Sequence, residues 1–237
     1  MKRFGILLLI ATLGLLVMTC SKSYETYMEQ AAGYESSGEY EKAVSAFSKA
    51  VDKAEDDLSR VAANEGAGRV LLYQLSDLDS AAQYFSAALE YAPALDGEAL
   101  IALSKQALEA DAGKAAVRGY TNWLERFGDD ERAPQMHYEM AEVYHKNIRD
   151  LRMAVTVYEQ VVKKYPESEQ APKSLFSIGY IFANELDDEE LARAYYKRFL
   201  DNYPDHEMVP SVEFELKYLG KALEEIPELK HLLGNPS

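Results

Sequence analysis

Glu139, Glu142 and His145 lie close together in sequence, and Glu142-x-x-His145 has the spacing with which a bundle helix presents a glutamate and a histidine to a di-iron centre. Such a centre needs a second Glu-x-x-His and two further glutamates; the one other such spacing, Glu228-x-x-His231, lies in the C-terminal tail outside the repeats, His137 and His206 have no glutamate at that offset, and the full set is not evident, so no metal or cofactor is expected. The single cysteine, Cys20, ends an apolar stretch with no histidine near it in sequence, unlike the electropositive settings that make a thiol nucleophilic. "EGAGRVLL" around Gly66 and Gly68 lacks the third glycine of a dinucleotide loop and the Gly-Lys-Ser/Thr of a phosphate loop, and it sits inside a helical pattern. The acidic pairs Asp56-Asp57, Asp129-Asp130 and Asp187-Asp188 fall between helical segments and read as solvated turns. No catalytic constellation emerges, and the chain reads as a non-enzyme.

The elements that would carry a binding surface are clearer. With 237 residues, 48% hydrophobic and 27% charged, the chain can bury a sizeable core. Its 25 Lys and Arg against 40 Asp and Glu leave a formal charge of −15, which disfavours nucleic acid, since phosphate binding needs clustered cations. The same excess repels an anionic bilayer surface, so any membrane attachment must come from apolar matter. It would attract a basic partner segment. One cysteine excludes an intrachain disulfide.

Lys2 and Arg3 precede an apolar run from Phe4 to Met18, the layout of a signal peptide. The run is shorter than the ~20 residues a helix needs to cross the hydrocarbon core. Leu16-Val17-Met18-Thr19-Cys20 resembles the lipobox of bacterial lipoproteins, with Val17 in the aliphatic slot and Met18 and Thr19 in the two small-residue slots. The resemblance implies a diacylglyceryl group on Cys20 and cleavage before it, and two or more acyl chains suffice for a stable anchor. Ser21 after the cysteine resembles outer-membrane cargo. The expected division is a signal peptide over 1–19, a lipid-anchored linker over 20–23, a repeat domain over 24–226 and a tail over 227–237.

"MAVTVYEQVVKKYPES" from Met153 and "LARAYYKRFLDNYPDH" from Leu191 are offset by 38 residues. Ala43, Ala81, Ala116, Ala154 and Ala192 stand 38, 35, 38 and 38 apart, each opening a pattern with further small, aromatic or aliphatic positions at i+4, i+7 and i+11. Each such helix has a partner before it: Ala133, Pro134, Tyr138, Ala141 and Tyr144 recur as Ala171, Pro172, Phe176, Gly179 and Phe182. Small residues at Ala31, Gly68, Ala141 and Gly179 permit close helix approach. Pro134, Pro172 and Pro210 mark helix starts, and Pro166 and Pro204 mark ends. From Gly68, Ala141 and Gly179 onward the connecting loop is expected to carry one extra residue, and the third unit lacks an aromatic residue in its first helix. A recurring unit of this size is the signature of a stacked array.

This pattern over about residues 24–204 resembles the tetratricopeptide repeat, with Ala31, Tyr34, Gly38, Tyr40, Ala43, Phe47 and Ala50 matching its motif best. The expected fold is an all-α, tetratricopeptide-like solenoid of about five helix pairs, with a capping helix from Pro210 to about Glu225, bent or interrupted at Gly220. The resemblance implies that the first helix of each pair lines the side that receives a protein or peptide partner. That places Tyr138, Glu142, His145, Phe176, Tyr180 and Asn184 in the groove, with Met28, Glu35, Arg69 and Tyr73 as earlier members. The whole resembles the outer-membrane assembly lipoproteins of the BamD type, and equally the repeat proteins that coordinate cell division with wall synthesis. It implies a scaffold held in the bacterial cell envelope, at the outer membrane facing the periplasm, against the alternative of a small-ligand-binding lipoprotein.

Overall fold

A computed structural model describes residues 22–221 and 225–227, so Cys20 and the expected signal peptide lie outside the described residues. Among those described there is no strand, and eleven α-helices follow one another: α1 (Tyr24–Ser36), α2 (Tyr40–Val51), α3 (Asp57–Val70), α4 (Leu78–Glu90), α5 (Gly97–Glu109), α6 (Gly113–Phe127), α7 (Ala133–Val143), α8 (Leu151–Lys164), α9 (Gln170–Asn184), α10 (Glu189–Asn202) and α11 (Val209–Tyr218). Each helix packs on the one before and the one after it, and first helices of successive pairs also touch, α1 on α3 and α7 on α9. The ten helices α1 to α10 therefore form five hairpins in tandem.

Local signals fix where these helices begin and stop. Asp56, Asp77, Asp96, Asp150 and Asp188 each accept a backbone N–H from the residue three positions on, which satisfies a donor the helix leaves unpaired. The acidic pairs are thus more than solvated turns: Asp56 and Asp188 cap helices, and Asp130 holds Arg132, whose hydrogen bonds keep its carboxyl down at about 2. Pro134 and Pro210 occupy the first turns of α7 and α11, and α8 and α10 stop one residue short of Tyr165-Pro166 and Tyr203-Pro204.

The repeating alanines Ala43, Ala81, Ala116, Ala154 and Ala192 are all fully buried. Four residues further along, Phe47, Phe85, Tyr120, Tyr158 and Tyr196 fill the space between hairpins. Two glycines meet these rings within a hairpin: a Cβ on Gly68 would lie 2.9 Å from Phe85, and one on Gly179 2.5 Å from Tyr196. Gly66 meets a ring of the preceding hairpin, its Cβ position lying 2.5 Å from Phe47. In the third hairpin the close approach moves to the second helix, where a Cβ on Gly119 would collide with the Oγ of fully buried Ser104.

Every hairpin turns through one left-handed residue, at Gly38 (φ 73°), Ser76 (54°), Asp111 (59°), Arg149 (61°) and Asp187 (52°), each five positions before its alanine. In the second and fourth units the extra residue expected in the loop lies instead in the last turn of the first helix; in the fifth, α9 ends at Asn184 and the loop before α10 carries it, as expected. Glu39 N–H reaches back to Tyr34 and Ala112 N–H to Ala107, whereas Asp77, Asp150 and Asp188 N–H reach one residue further, to Leu71, Tyr144 and Phe182. Leu71–Leu75 and Tyr144–Ile148 accordingly wind as π-turns, which absorb a single inserted residue. Only Gly38 adopts the left-handed geometry without a Cβ penalty. Ser76→Gly is therefore expected to raise the unfolding free energy by about 0.5–1 kcal/mol, read from the shift in urea midpoint; no gain would mean that this turn is not strained.

The capping helix is interrupted at Gly220, as expected. α11 ends at Tyr218, and Gly220 (φ 79°) turns the chain so that a Cβ there would collide with the Glu189 carboxylate at the start of α10. Buried Val212, Tyr218 and Ile226 cover the end of the stack.

Candidate docking surface

The first helices carry the expected groove residues, and the structure treats them unequally. Tyr138 on α7 is half-buried, its ring 5.5 Å from that of Tyr158. Tyr158 donates its hydroxyl to Glu142 at 2.9 Å, and Lys146 pairs with the same carboxylate. Burial, then the Glu142 charge, pushes both tyrosine hydroxyls above their ordinary range. Phe176 on α9 is half-buried, with its ring 5.9 Å from that of Tyr196. Tyr180 is 41% exposed, and Asn184, also exposed, donates to the Tyr180 carbonyl at 3.2 Å.

His145 departs from the expectation that it faces the groove or solvent. It is buried, and its Nε2 is hydrogen-bonded to Glu185 at the end of α9. Arg149, the left-handed residue of the fourth turn, brings its guanidinium to 2.6 Å from the other Glu185 oxygen. Burial disfavours the Glu185 carboxylate, but the hydrogen bond from His145 and the Arg149 guanidinium beside it outweigh this and hold the carboxyl below its usual range. This group clasps the fourth hairpin to the fifth.

Among the earlier members, Met28 packs under the first hairpin. Glu35 takes both arms of the Arg69 guanidinium, at 2.7 and 3.2 Å. Tyr73, 50% exposed, donates to Glu109 at 2.6 Å. Further along, Glu139 collects Tyr120 at 2.9 Å, Gln135 at 2.9 Å and Lys105 at 4.0 Å, and Gln170 reaches Gln135 at 2.7 Å. Polar groups one repeat apart thus lace each first helix to the next. The complementary types at that offset, Glu35 with Arg69 and Lys105 with Glu139, were the signal in the sequence that would have revealed the lacing.

Among the described residues no group of three or more His, Cys, Asp or Glu is placed to hold a metal. An open cleft of about 640 Å³ runs between α4 and the turn into α6, walled by Ala82, Ser86, Ala112, Gly113 and Ile148. A second, of about 670 Å³, lies between α6 and the end of α8 beside buried His137, whose pKa burial lowers. The groups this surface presents are aromatic rings and carboxylates.

No curated protein sequence matches the chain. Among solved structures, YrrB, described as a TPR protein with an unusual peptide-binding site, is 20% identical over 80% of this chain and 91% of its own, with a TM-score of 0.43. A MamA protein is 18% identical over 86% of this chain and 98% of its own, at 0.42. A tetratricopeptide repeat protein from Parabacteroides merdae is 13% identical over 83% and 73%, at 0.44. Two sequence profiles, both of the tetratricopeptide repeat, match residues 29–99 and residues 136–168 and 173–206, together more than half of the chain. These are α1 to the start of α5 and α7 to the turn beyond α10, the hairpins whose small and aromatic residues interlock, and the chain belongs to the tetratricopeptide-repeat proteins.

Proposed function

We propose that this protein is a lipid-tethered, non-enzymatic scaffold that holds a protein or peptide partner in the bacterial cell envelope, at the periplasmic face of the outer membrane, in the assembly of outer-membrane proteins. The observation that carries the docking part is the pair of tyrosines left open on the first-helix side, Tyr73 and Tyr180, on a face whose helices are laced together and so presented rigidly. Rigid aromatic side chains lose little entropy on binding, which suits them as anchors. The formal charge of −15 favours a basic partner segment, whose association should weaken as salt rises.

The tether reading rests on the lipobox-like residues Val17 to Cys20; among the described residues no helix is long and apolar enough to cross a membrane. Cys20→Ser should abolish incorporation of labelled palmitate and move the protein from the membrane pellet to the soluble fraction. Unchanged labelling would rule the anchor out. For the docking face, Tyr73→Ala combined with Tyr180→Ala should release the partner captured by the wild-type protein from a detergent-solubilised envelope, and equal capture by both proteins would count against this face.

A further inference from the structure

Four carboxylates of the first helices and their turns have a basic side chain beside them, and Glu109 has the Tyr73 hydroxyl. Arg69 serves Glu35, Lys105 serves Glu139, Lys146 serves Glu142, and Arg149 with His145 serves Glu185. Glu215, on α11, has no ion pair among the described residues, although it is half-buried and burial raises its pKa. Among the described residues the cations nearest in sequence are engaged elsewhere: Lys217 and Lys221 over the Tyr218 ring at 4.6 and 5.3 Å, and Arg198 on Glu159 at 2.7 Å.

A second orphan stands beside it. The Tyr196 hydroxyl is buried without a hydrogen-bond partner, and the polar groups facing it are Glu215 and Tyr180. Register shows what is missing. Tyr120 donates to Glu139, and Tyr196 and Glu215 each stand two 38-residue periods further along, yet no Tyr196–Glu215 hydrogen bond is formed. A buried hydroxyl and a half-buried carboxylate left unpaired are both costly, so this position is complete only with a group that brings donors and a positive charge. The Tyr180 ring, 41% exposed, and Phe176, packed on Tyr196, supply the aromatic wall over which the carbon stem and the charge of such a group would lie.

We propose that Glu215, Tyr180, Phe176 and the Tyr196 hydroxyl form a receptor for one lysine or arginine side chain of the docked partner, the ammonium or guanidinium pairing with Glu215. This rests on the docking-face reading and names the partner's chemistry at one end of that face. Recognition by paired charge, hydrogen bond and ring suits a basic side chain and rejects its uncharged isostere.

The test titrates the full-length protein, carrying ¹³C-labelled tyrosine, with acetyl-Gly-Lys-Gly-amide, and with the norleucine peptide as the uncharged control. Saturable shifts of the Tyr180 and Tyr196 resonances with lysine, and none with norleucine, are expected. Glu215→Gln should weaken the lysine peptide about tenfold and Tyr196→Phe about two- to threefold. Glu213→Gln, the same charge change on the exposed side of α11, should leave it within twofold. Glu215→Gln removes a charge that burial already disfavours, so it should fold as the wild type does, which circular dichroism checks. Equal losses in the Glu213 and Glu215 variants would reduce the effect to the protein's overall field and overturn the proposal, as would the absence of a saturable shift. A tenfold gain in peptide affinity on Lys230→Ala would make the chain's own tail the occupant and overturn it too. A partner captured equally well by wild type and Glu215→Gln, but lost by the Tyr73/Tyr180 variant, sinks this receptor and leaves the scaffold standing; capture undiminished in the Tyr73/Tyr180 variant sinks both.

Discussion

Trp123→Ala is expected to lower the unfolding free energy by about 3–5 kcal/mol, the range for emptying a large aromatic site in a closed core. Trp123 is fully buried on α6, its ring centroid 5.6 Å from that of Phe127 and 5.4 Å from the Arg132 guanidinium. Gly97 at the start of α5 approaches the indole so closely that a Cβ there would lie 3.0 Å from Nε1. Both helices of the third hairpin thus close on one side chain, and neither can collapse into the space it leaves. The indole nitrogen has no hydrogen-bond partner, so the loss is one of packing. Trp123→Phe keeps most of the apolar contact and removes an unpaired donor, and should cost less than half as much. Urea unfolding followed by circular dichroism measures both; an alanine variant within 1 kcal/mol of wild type would mean that the ring is not held as described.

Gly179→Val is expected to cost at least about 2 kcal/mol, although helix propensity alone favours almost any residue over glycine in mid-helix. The opposing term is steric: the new Cβ would stand 2.5 Å from a Tyr196 ring that is fully buried and has nowhere to go. Truncating the ring should make room, so Gly179→Val with Tyr196→Ala should be less destabilised than the sum of the two single changes. Additive losses would show that glycine is there for another reason. Gly33 on α1 supplies the contrast, because a Cβ there meets nothing within 4 Å, and Gly33→Ala should stabilise by about 1 kcal/mol.

The stacked hairpins were legible in the sequence because their cause is periodic: Ala154 and Ala192 occupy equivalent positions, and close packing leaves room only for a small residue at each. What escaped was whatever the period does not encode. Ser104 stands at the small position of the third unit, but a serine does not announce itself as a contact site until Gly119 is seen against it. The inserted residue of the second and fourth units shows in the spacing, while its placement in a π-turn depends on backbone hydrogen bonds between Asp77 and Leu71 and between Asp150 and Tyr144. Ser76 and Arg149 carry no sign of left-handed geometry, unlike Gly38. On the proposed docking face, helical position placed Tyr138 and Tyr180 on first helices, where the structure has them. It could not show that His145 turns inward, since that depends on Glu185, 40 residues on. Gly220 announced the break at the end of α11, but its close approach to Glu189 has no local signature.

The most direct test of tandem stacking is excision of one unit, residues 133–170, so that Arg132 runs into Ala171 and α9 takes the place of α7. In a solenoid each hairpin contacts only its neighbours, so the shortened chain should fold, keep helical circular dichroism in proportion to its remaining helices and unfold in a clear transition. Tyr120 would lose Glu139 and face Ser177, 38 residues further along, in its stead. A chain that is unfolded or molten after this excision would show that the helices depend on one shared core, and would contradict the array on which the docking face is built.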